Sequence, residues 1–265
     1  MSFNSSCSYC CLANLLESYG IDKEDRDIAL ESGLPYLFSY DESEHSYLAG
    51  AMLQGNFWFN RYLNSIGFTF SEELLPKETV TAFLDTHIPC MIGLKSQFGR
   101  HAMIYTGQQD GQYRFLNPHR PDDGQDDVLL LSGKGLKEAL SDVNAVGWLT
   151  PADTTVPLDV SQYAESPTHL ERWQADIHTF CGTLRTADEI MAAANPLFRP
   201  LAIDALTMME LIGENELADG LRTFQREAMA LFRTGDCHPD TVIDLSHLDQ
   251  VAERYRALLS RKADR

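Results

Sequence analysis

The sequence predicts an α+β amino-terminal domain, a helix packed on an antiparallel sheet, followed by an all-α carboxy-terminal bundle. Three observations predict it. Leu12, Leu15, Leu16 and Tyr19 recur at helical spacing behind Cys7-Ser-Tyr-Cys-Cys11, so residues from about 8 to 19 form a buried amphipathic helix. Between Phe68 and Leu149, short apolar runs alternate with polar or Gly-containing turns, as strands do. Beyond Pro157 the apolar spacing changes to i, i+3 and i+4 and stays helical. The linker is Pro151-Ala-Asp-Thr-Thr-Val-Pro157, which gives domains at 1–150 and 158–265.

The elements follow in order. Asn4, Ser5 and Ser6 are N-terminal caps for the first helix, and Gly20 stops it. Ile21 to Leu30 is a short charged helix ending near Gly33, and Leu34 to Tyr40 an aromatic loop. From Leu48 to Ile66 apolar residues occupy most faces, which predicts a buried helix with a weak point at Gly55 and a stop at Gly67. Phe68-Thr-Phe70 is a short strand, and Pro76 opens a helix to about Asp85. Ile88 to Leu94 is a central strand, with Pro89 at its start where a missing N–H is tolerated. His101 to Thr106 and Tyr113 to Leu116 make a hairpin. Val128 to Leu131 is a strand, Lys134 to Leu140 a helix and Ala145 to Leu149 a last strand.

Five helices follow, at His169–Phe180, Ala187–Ala194, Leu201–Ile212, Glu216–Phe232 and Leu248–Leu259. Thr186 ahead of Asp188-Glu189, Pro200, Gly213 and Gly235 punctuate them. Trp173, Phe180, Phe198 and Phe224 are core, and His169, His178, His238 and His247 surface or core residues rather than ligands.

Composition excludes several classes. The net charge of −18, spread over both halves, argues against nucleic acid and anionic membrane as partners, and leans mildly towards a cationic small molecule such as a polyamine or aminoglycoside. No run of about eighteen apolar residues occurs, so no membrane-spanning helix is expected. The first residues lack a basic n-region and an apolar h-region, so no signal peptide is expected. Six cysteines without regular spacing suit a reducing cytoplasm better than a disulfide framework. No second Cys/His pair gives zinc spacing, and Asp122-Asp-Gly-Gln-Asp-Asp127 lacks the closing glutamate of a calcium loop. No metal and no cofactor is expected.

Cys7 sits at the predicted helix N-terminus, where unpaired N–H groups and the macrodipole favour a thiolate and can hold an oxyanion. Alone, it is equally a small buried hydrophobe. His101 opens a strand and Asn117 follows the end of the next, so a hairpin brings both to one rim of a sheet. A lone His101 is a satisfied strand-end histidine. Cysteine, histidine and asparagine together are the parts of a thiol acyl-transfer site: His101 takes the Cys7 proton, and Asn117 fixes the imidazole tautomer.

The pattern Cys-x-x-x-Cys-Leu-Ala-x-Leu-Leu-x-x-Tyr-Gly, the strand-opening His101 and then Asn117-Pro118 resemble the papain-like bacteriocin-processing cysteine peptidase domains over roughly residues 1 to 150. In outline the chain is closer still to the butirosin-pathway acyltransferase family. There a similar cysteine helix precedes a Gly-containing aromatic loop, matched loosely by Ser32 to Tyr40, and a helical extension follows. The resemblance implies a papain-like cysteine peptidase fold with Cys7 as nucleophile, His101 as base and Asn117 in place of the family's Asp. Two positions depart from the peptidase pattern. Ser8 stands where that family has Gly, and Met1 stands where it has the oxyanion-hole glutamine. Asn4 and Ser8 are the candidate oxyanion-hole residues in its stead.

Three readings remain open at this point. A cysteine hydrolase would act on a peptide or small amide through an acyl-Cys7 intermediate. An acyltransferase would take its acyl group from a thioester-bearing carrier and pass it to a small amine. An inactive binding domain is the third. The bundle either shapes the substrate pocket or joins two copies in a homodimer.

Overall fold

The computed structural model describes residues 1–2, 6–96, 99–120, 124–183, 186–234 and 242–264. They divide into two compact units, Met1–Ser32 with Gln54–Leu158, and Gly33–Leu53 with Asp159–Arg265. Gly33–Leu53 therefore groups with the carboxy-terminal helices rather than with the rest of the 1–150 domain expected from sequence.

In chain order, α1 (Cys7–Glu17) and α2 (Asp25–Glu31) precede strands β1 (Phe38–Asp41) and β2 (Ser46–Ala49). Then come α3 (Asn56–Leu63), β3 (Phe68–Pro76), α4 (Val80–Leu84) and β4 (Cys90–Ser96). Strands β5 (Gly99–Gln109), β6 (Gln112–Leu116) and β7 (Val128–Leu131), helix α5 (Gly133–Ala139) and β8 (Val143–Pro151) complete the mixed region. The chain ends in α6 (Ser161–Cys181), α7 (Ala187–Arg199), α8 (Leu206–Leu211), α9 (Asn215–Thr234) and α10 (Ser246–Ala263). This is a mixed region of helices on antiparallel strands followed by an all-α bundle. Among the described residues, no helix is long and apolar enough to cross a membrane.

In the first unit, six antiparallel strands lie in the order β3-β8-β4-β5-β6-β7. Successive side chains point to opposite faces. Cys90, Ile92 and Leu94 of β4, Met103 and Tyr105 of β5 and Val146 of β8 pack against Val80 and Leu84 of α4 and Leu136 of α5. The other face takes α1, which packs on β4, β5 and β8, and α3, which packs on β3. Phe59 bridges these helices to the sheet, meeting Tyr9 and Phe70 edge-on at 5.2 Å each. Such contacts are worth about 0.5–1.5 kcal/mol beyond area burial. Leu12, Leu15 and Leu16 are wholly buried, as their spacing requires.

In the second unit, β1 and β2 form a hairpin on α6. Phe38 is at its centre, edge-on to Trp173 at 5.8 Å and to Tyr255 at 6.3 Å. Side chains also reach its backbone: Phe38 N donates to Ser166 Oγ at 3.0 Å, and the His169 ring bonds Phe38 O at 3.0 Å. Thr186 caps α7 in a reciprocal pair with Glu189. Pro200 removes one helical N–H at the start of a π-helical turn, Pro200–Ala205, which divides α7 from α8. Trp173, Phe198 and Phe224 are core as expected, whereas Phe180 is half-buried. His169, His178 and His247 bond carbonyl or carboxylate oxygens; His238 and Gly235 lie outside the described residues.

Several expectations need correction. The helix expected over Leu48–Ile66 is instead β2, a 3-10 turn at Gly50–Met52, α3 and a second 3-10 turn at Asn64–Ile66. Gly50 at φ 55° and Gly55 at φ 89° break it, each in a conformation that glycine alone adopts cheaply. The aromatic loop over Leu34–Tyr40 is a 3-10 turn followed by β1. Pro76 ends a long β3 rather than opening a helix. Ser6 does not cap α1 through its side chain, and Asn4 and Ser5 lie outside the described residues.

Gly50 also lies against the helices, where a Cβ would collide with the Asp204 carbonyl oxygen. Gly50→Ala combines that overlap with a left-handed backbone, so it should destabilise this unit by at least about 2 kcal/mol. Denaturant unfolding followed by tyrosine and tryptophan signals checks this; an unchanged midpoint would contradict it.

Candidate active site

Cys7 begins α1, and no acidic residue occupies that helix's first turn. Among the described residues the first helical bond runs from Cys10 N to Ser6 O at 2.7 Å, and Cys7 and Ser8 stand in the first turn, where helical N–H groups point out of the helix end. Asp25, on α2, anchors this end. It accepts from Ser2 N at 2.6 Å, Ser2 Oγ at 2.7 Å and Ser6 Oγ at 2.7 Å. Burial opposes ionisation of Asp25, but those bonds outweigh it and hold the carboxyl below its usual range. A buried carboxylate thus fixes the residue immediately before Cys7.

His101 and Asn117 come from adjacent strands. β6 pairs with β5 through Leu116 opposite Ile104, whereas β5 begins at Gly99, so the first residues of β5 project past β6. Asn117, the next residue on, is held there by its own N–H on Asp127 O at 2.8 Å. Its amide group is oriented by donating Nδ2 to Asp126 O at 2.9 Å. A backbone carbonyl can only accept, so Oδ1 is the end that faces His101, at 3.0 Å from Nε2. Nε2 therefore carries the proton in neutral imidazole, and Nδ1 is the nitrogen left to accept another.

The Cys7 thiol hydrogen-bonds both the His101 side chain and the Ala102 backbone N–H. Burial of the thiol resists ionisation; these two bonds and the field of a charged His101 outweigh it, and the thiol is held below the ordinary range. His101 responds in kind. Its bond to Cys7 raises its pKa most, burial opposes this, and Asn117 and the Pro118 backbone add to the rise. The structure thus brings Cys7, His101 and Asn117 into one hydrogen-bonded chain.

Of the candidate oxyanion residues, Asn4 lies outside the described residues. Ser8 donates its hydroxyl to Gln54 Oε1 at 2.6 Å. The same hydroxyl also lies at the Cys7 sulfur and helps to lower its pKa, and its bond to Oε1 turns the donor end of the Gln54 amide away from Ser8. Gln54 and Cys7 line the same cleft of about 400 Å³. Its floor includes small residues on three adjacent strands: Gly147 and Ala145 of β8, Gly93 of β4 and Ala102 of β5. Phe70, Glu72 and Arg100 edge it. Sequence reasoning missed Gln54 and Asp25; neither lies at a recognisable spacing from Cys7.

The other described thiols are apart from this arrangement. Burial raises Cys10 and Cys11, and pushes Cys90 up to about 12 and Cys181 to about 11. Alkylation follows the thiolate fraction, and a lowered pKa keeps thiolate present to lower pH. A limiting amount of iodoacetamide at mildly acidic pH should therefore label Cys7 first, as peptide mass mapping can read. Labelling of Cys10 or Cys11 ahead of Cys7 would contradict it. No group of three or more metal-ligating side chains occurs among the described residues. No family model matches the chain, and no curated protein sequence matches it.

Proposed function

We propose that this protein is a cysteine-dependent acyl-transfer enzyme with a papain-like amino-terminal region, Cys7 its nucleophile, His101 its base and Asn117 the orienter of His101. The observation that carries this reading is the bonded chain from the Cys7 thiol through the His101 ring to Asn117 Oδ1, beside an open cleft. His101 accepts the thiol proton, and the Cys7 thiolate attacks a carbonyl carbon. The resulting oxyanion lies near the helix N-terminus, where the Cys7 and Ser8 N–H groups and the positive end of the macrodipole stabilise it. As the tetrahedral adduct collapses, protonated His101 passes its proton to the leaving amine, alcohol or thiol, and an acyl-Cys7 thioester remains. A second nucleophile, deprotonated by His101, then attacks the thioester and releases Cys7. Water in that step gives a peptidase or amide hydrolase; an amine gives an acyltransferase.

The pKa directions set the pH dependence. Cys7 is depressed and His101 raised, so the thiolate–imidazolium pair gains population between the two values. The acylation rate should rise through the Cys7 pKa, below the ordinary thiol range, and fall through that of His101, above the ordinary imidazole range. A panel of acyl thioesters and amides, each with and without an amine acceptor, tests the function. Release of free acid alone supports hydrolysis, and amide formation supports transfer. Failure of every donor to acylate Cys7 would favour a binding domain.

A further inference from the structure

Cys7 is followed one helical turn later by Cys10, so α1 opens on a Cys-x-x-Cys sequence. Residues three apart on a helix are surface neighbours, with Cβ atoms about 5–6 Å apart. Both thiols are half-buried, whereas Cys11, four residues on, is wholly buried. Cys7 stands on the open cleft. As the first residue of α1, its own N–H makes no bond in the helical ladder, so the backbone can adjust there towards the Cβ separation of about 3.5–4.5 Å that a disulfide needs. Cys10 is close enough for the charge of a Cys7 thiolate to act on it. Burial, helped by the charges of Asp25 and Cys7, keeps Cys10 a neutral thiol against the pull of the Met1 amino group. One turn of helix therefore holds a reactive, accessible sulfur beside a second sulfur that is a thiol at rest.

We propose that Cys7 and Cys10 form an oxidisable dithiol, in which a hydroperoxide converts Cys7 to a sulfenic acid and Cys10 closes a disulfide on it. In the first step the Cys7 thiolate attacks a peroxide oxygen and the O–O bond breaks. Protonated His101, bonded to Cys7, supplies the proton that turns the departing oxygen into an alcohol or water. The Cys10 sulfur then attacks the Cys7 sulfur. The S–S bond forms, the S–O bond breaks, and hydroxide leaves as water with the Cys10 proton. Two thiols are oxidised and one hydroperoxide is reduced. A small thiol reverses the bridge by exchange, whereas a sulfinic acid on Cys7 would be beyond its reach. While the bridge stands, Cys7 has no thiolate with which to attack a carbonyl, so the site is withdrawn from acyl transfer. Cys11 is the rival partner, since the Cys7 charge reaches it as well. Its sulfur, however, lies wholly within the core and would have to leave it to meet Cys7.

The test exposes the full chain to a small excess of hydrogen peroxide at neutral pH. Intact mass and iodoacetamide labelling are then read before and after dithiothreitol. The mass should fall by two hydrogens, Cys7 labelling should be lost, and dithiothreitol should restore both. Chymotryptic cleavage after Tyr9 should leave the Cys7 peptide joined to the Cys10 peptide until reduction. In Cys10→Ser the same peroxide should carry Cys7 on to sulfinic acid, and dithiothreitol should not recover its labelling. Cys11→Ala should still form the bridge. Cys7 labelling of untreated Cys10→Ser at the native rate shows that the variant keeps its fold; should that rate differ, Cys10→Ala takes its place. A bridge that survives loss of Cys10, a bridge to another thiol, oxygen added to native Cys7 without a bridge, or a Cys7 untouched by peroxide would each overturn the proposal. None of these readouts needs an acyl donor, so failure of the acyl-transfer reading is told apart from failure of the dithiol.

Discussion

Replacing Cys7 by alanine should reduce acyl transfer to background, a loss on the order of 10⁴-fold or more, as removal of a covalent nucleophile does elsewhere. No other described thiol can take over. Cys11 is wholly buried with its pKa raised, and Cys10 is raised as well. Cys7 is only half-buried, so its truncation should leave unfolding nearly unchanged. Cys11→Ala should do the reverse, costing about 1 kcal/mol through packing while sparing the chemistry. Initial rates with an acyl thioester, taken beside denaturation curves of each variant, separate the two effects. A Cys7→Ala protein that retains turnover would refute the assignment.

His101→Ala should cost about 10²–10⁴-fold in the same assay, the usual contribution of a general base. It should also change the thiol itself. The His101 bond is the largest influence lowering the Cys7 pKa, so its loss leaves burial less opposed, and the alkylation profile should move to higher pH. Asn117→Ala should cost less, since a neutral amide orients the ring without adding a charge to stabilise imidazolium. Its loss removes one of the smaller contributions that raise His101, so the falling limb of the pH profile should move to lower pH. Equal losses at the two positions would mean that the tautomer depends on Asn117 more than a single 3.0 Å bond suggests.

The candidate site was legible where local patterns determine local structure. Leu12, Leu15 and Leu16 mark the helix face, which puts Cys7 at the helix start. Two adjacent strands with a polar turn bring the residue that opens one near the residue that follows the other, so His101 and Asn117 meet. Gln54 and Asp25 were hidden because their roles depend on folding. Gln54 is set by the breaks at Gly50 and Gly55, and reaches Ser8 only after the chain has turned back. Asp25 looks in sequence like one more charge in an acidic run, yet it is 4% exposed and accepts from Ser2, Ser6 and Arg26.

The fold was less legible between Gly33 and Ile66. Phe38, Tyr47 and Trp173 share a core although Trp173 lies far along the chain, so no local window reveals why Phe38–Asp41 is a strand. The apolar residues of Leu48–Ile66 point in many directions because several short elements bury different sides. A helical average over such a stretch gives apolar faces all round. The carboxy-terminal helices were more legible, although the helix expected over Leu201–Ile212 is the π-helical turn Pro200–Ala205 followed by α8.

The measurement closest to the central claim is to locate the acyl group itself. The native protein is mixed with an activated acyl thioester, quenched in acid and mapped by peptide mass spectrometry. The account predicts one acyl group on Cys7, formed far more slowly in His101→Ala. An acyl group on Cys10 or Cys11, or acylation of Cys7 at the same rate without His101, would contradict it.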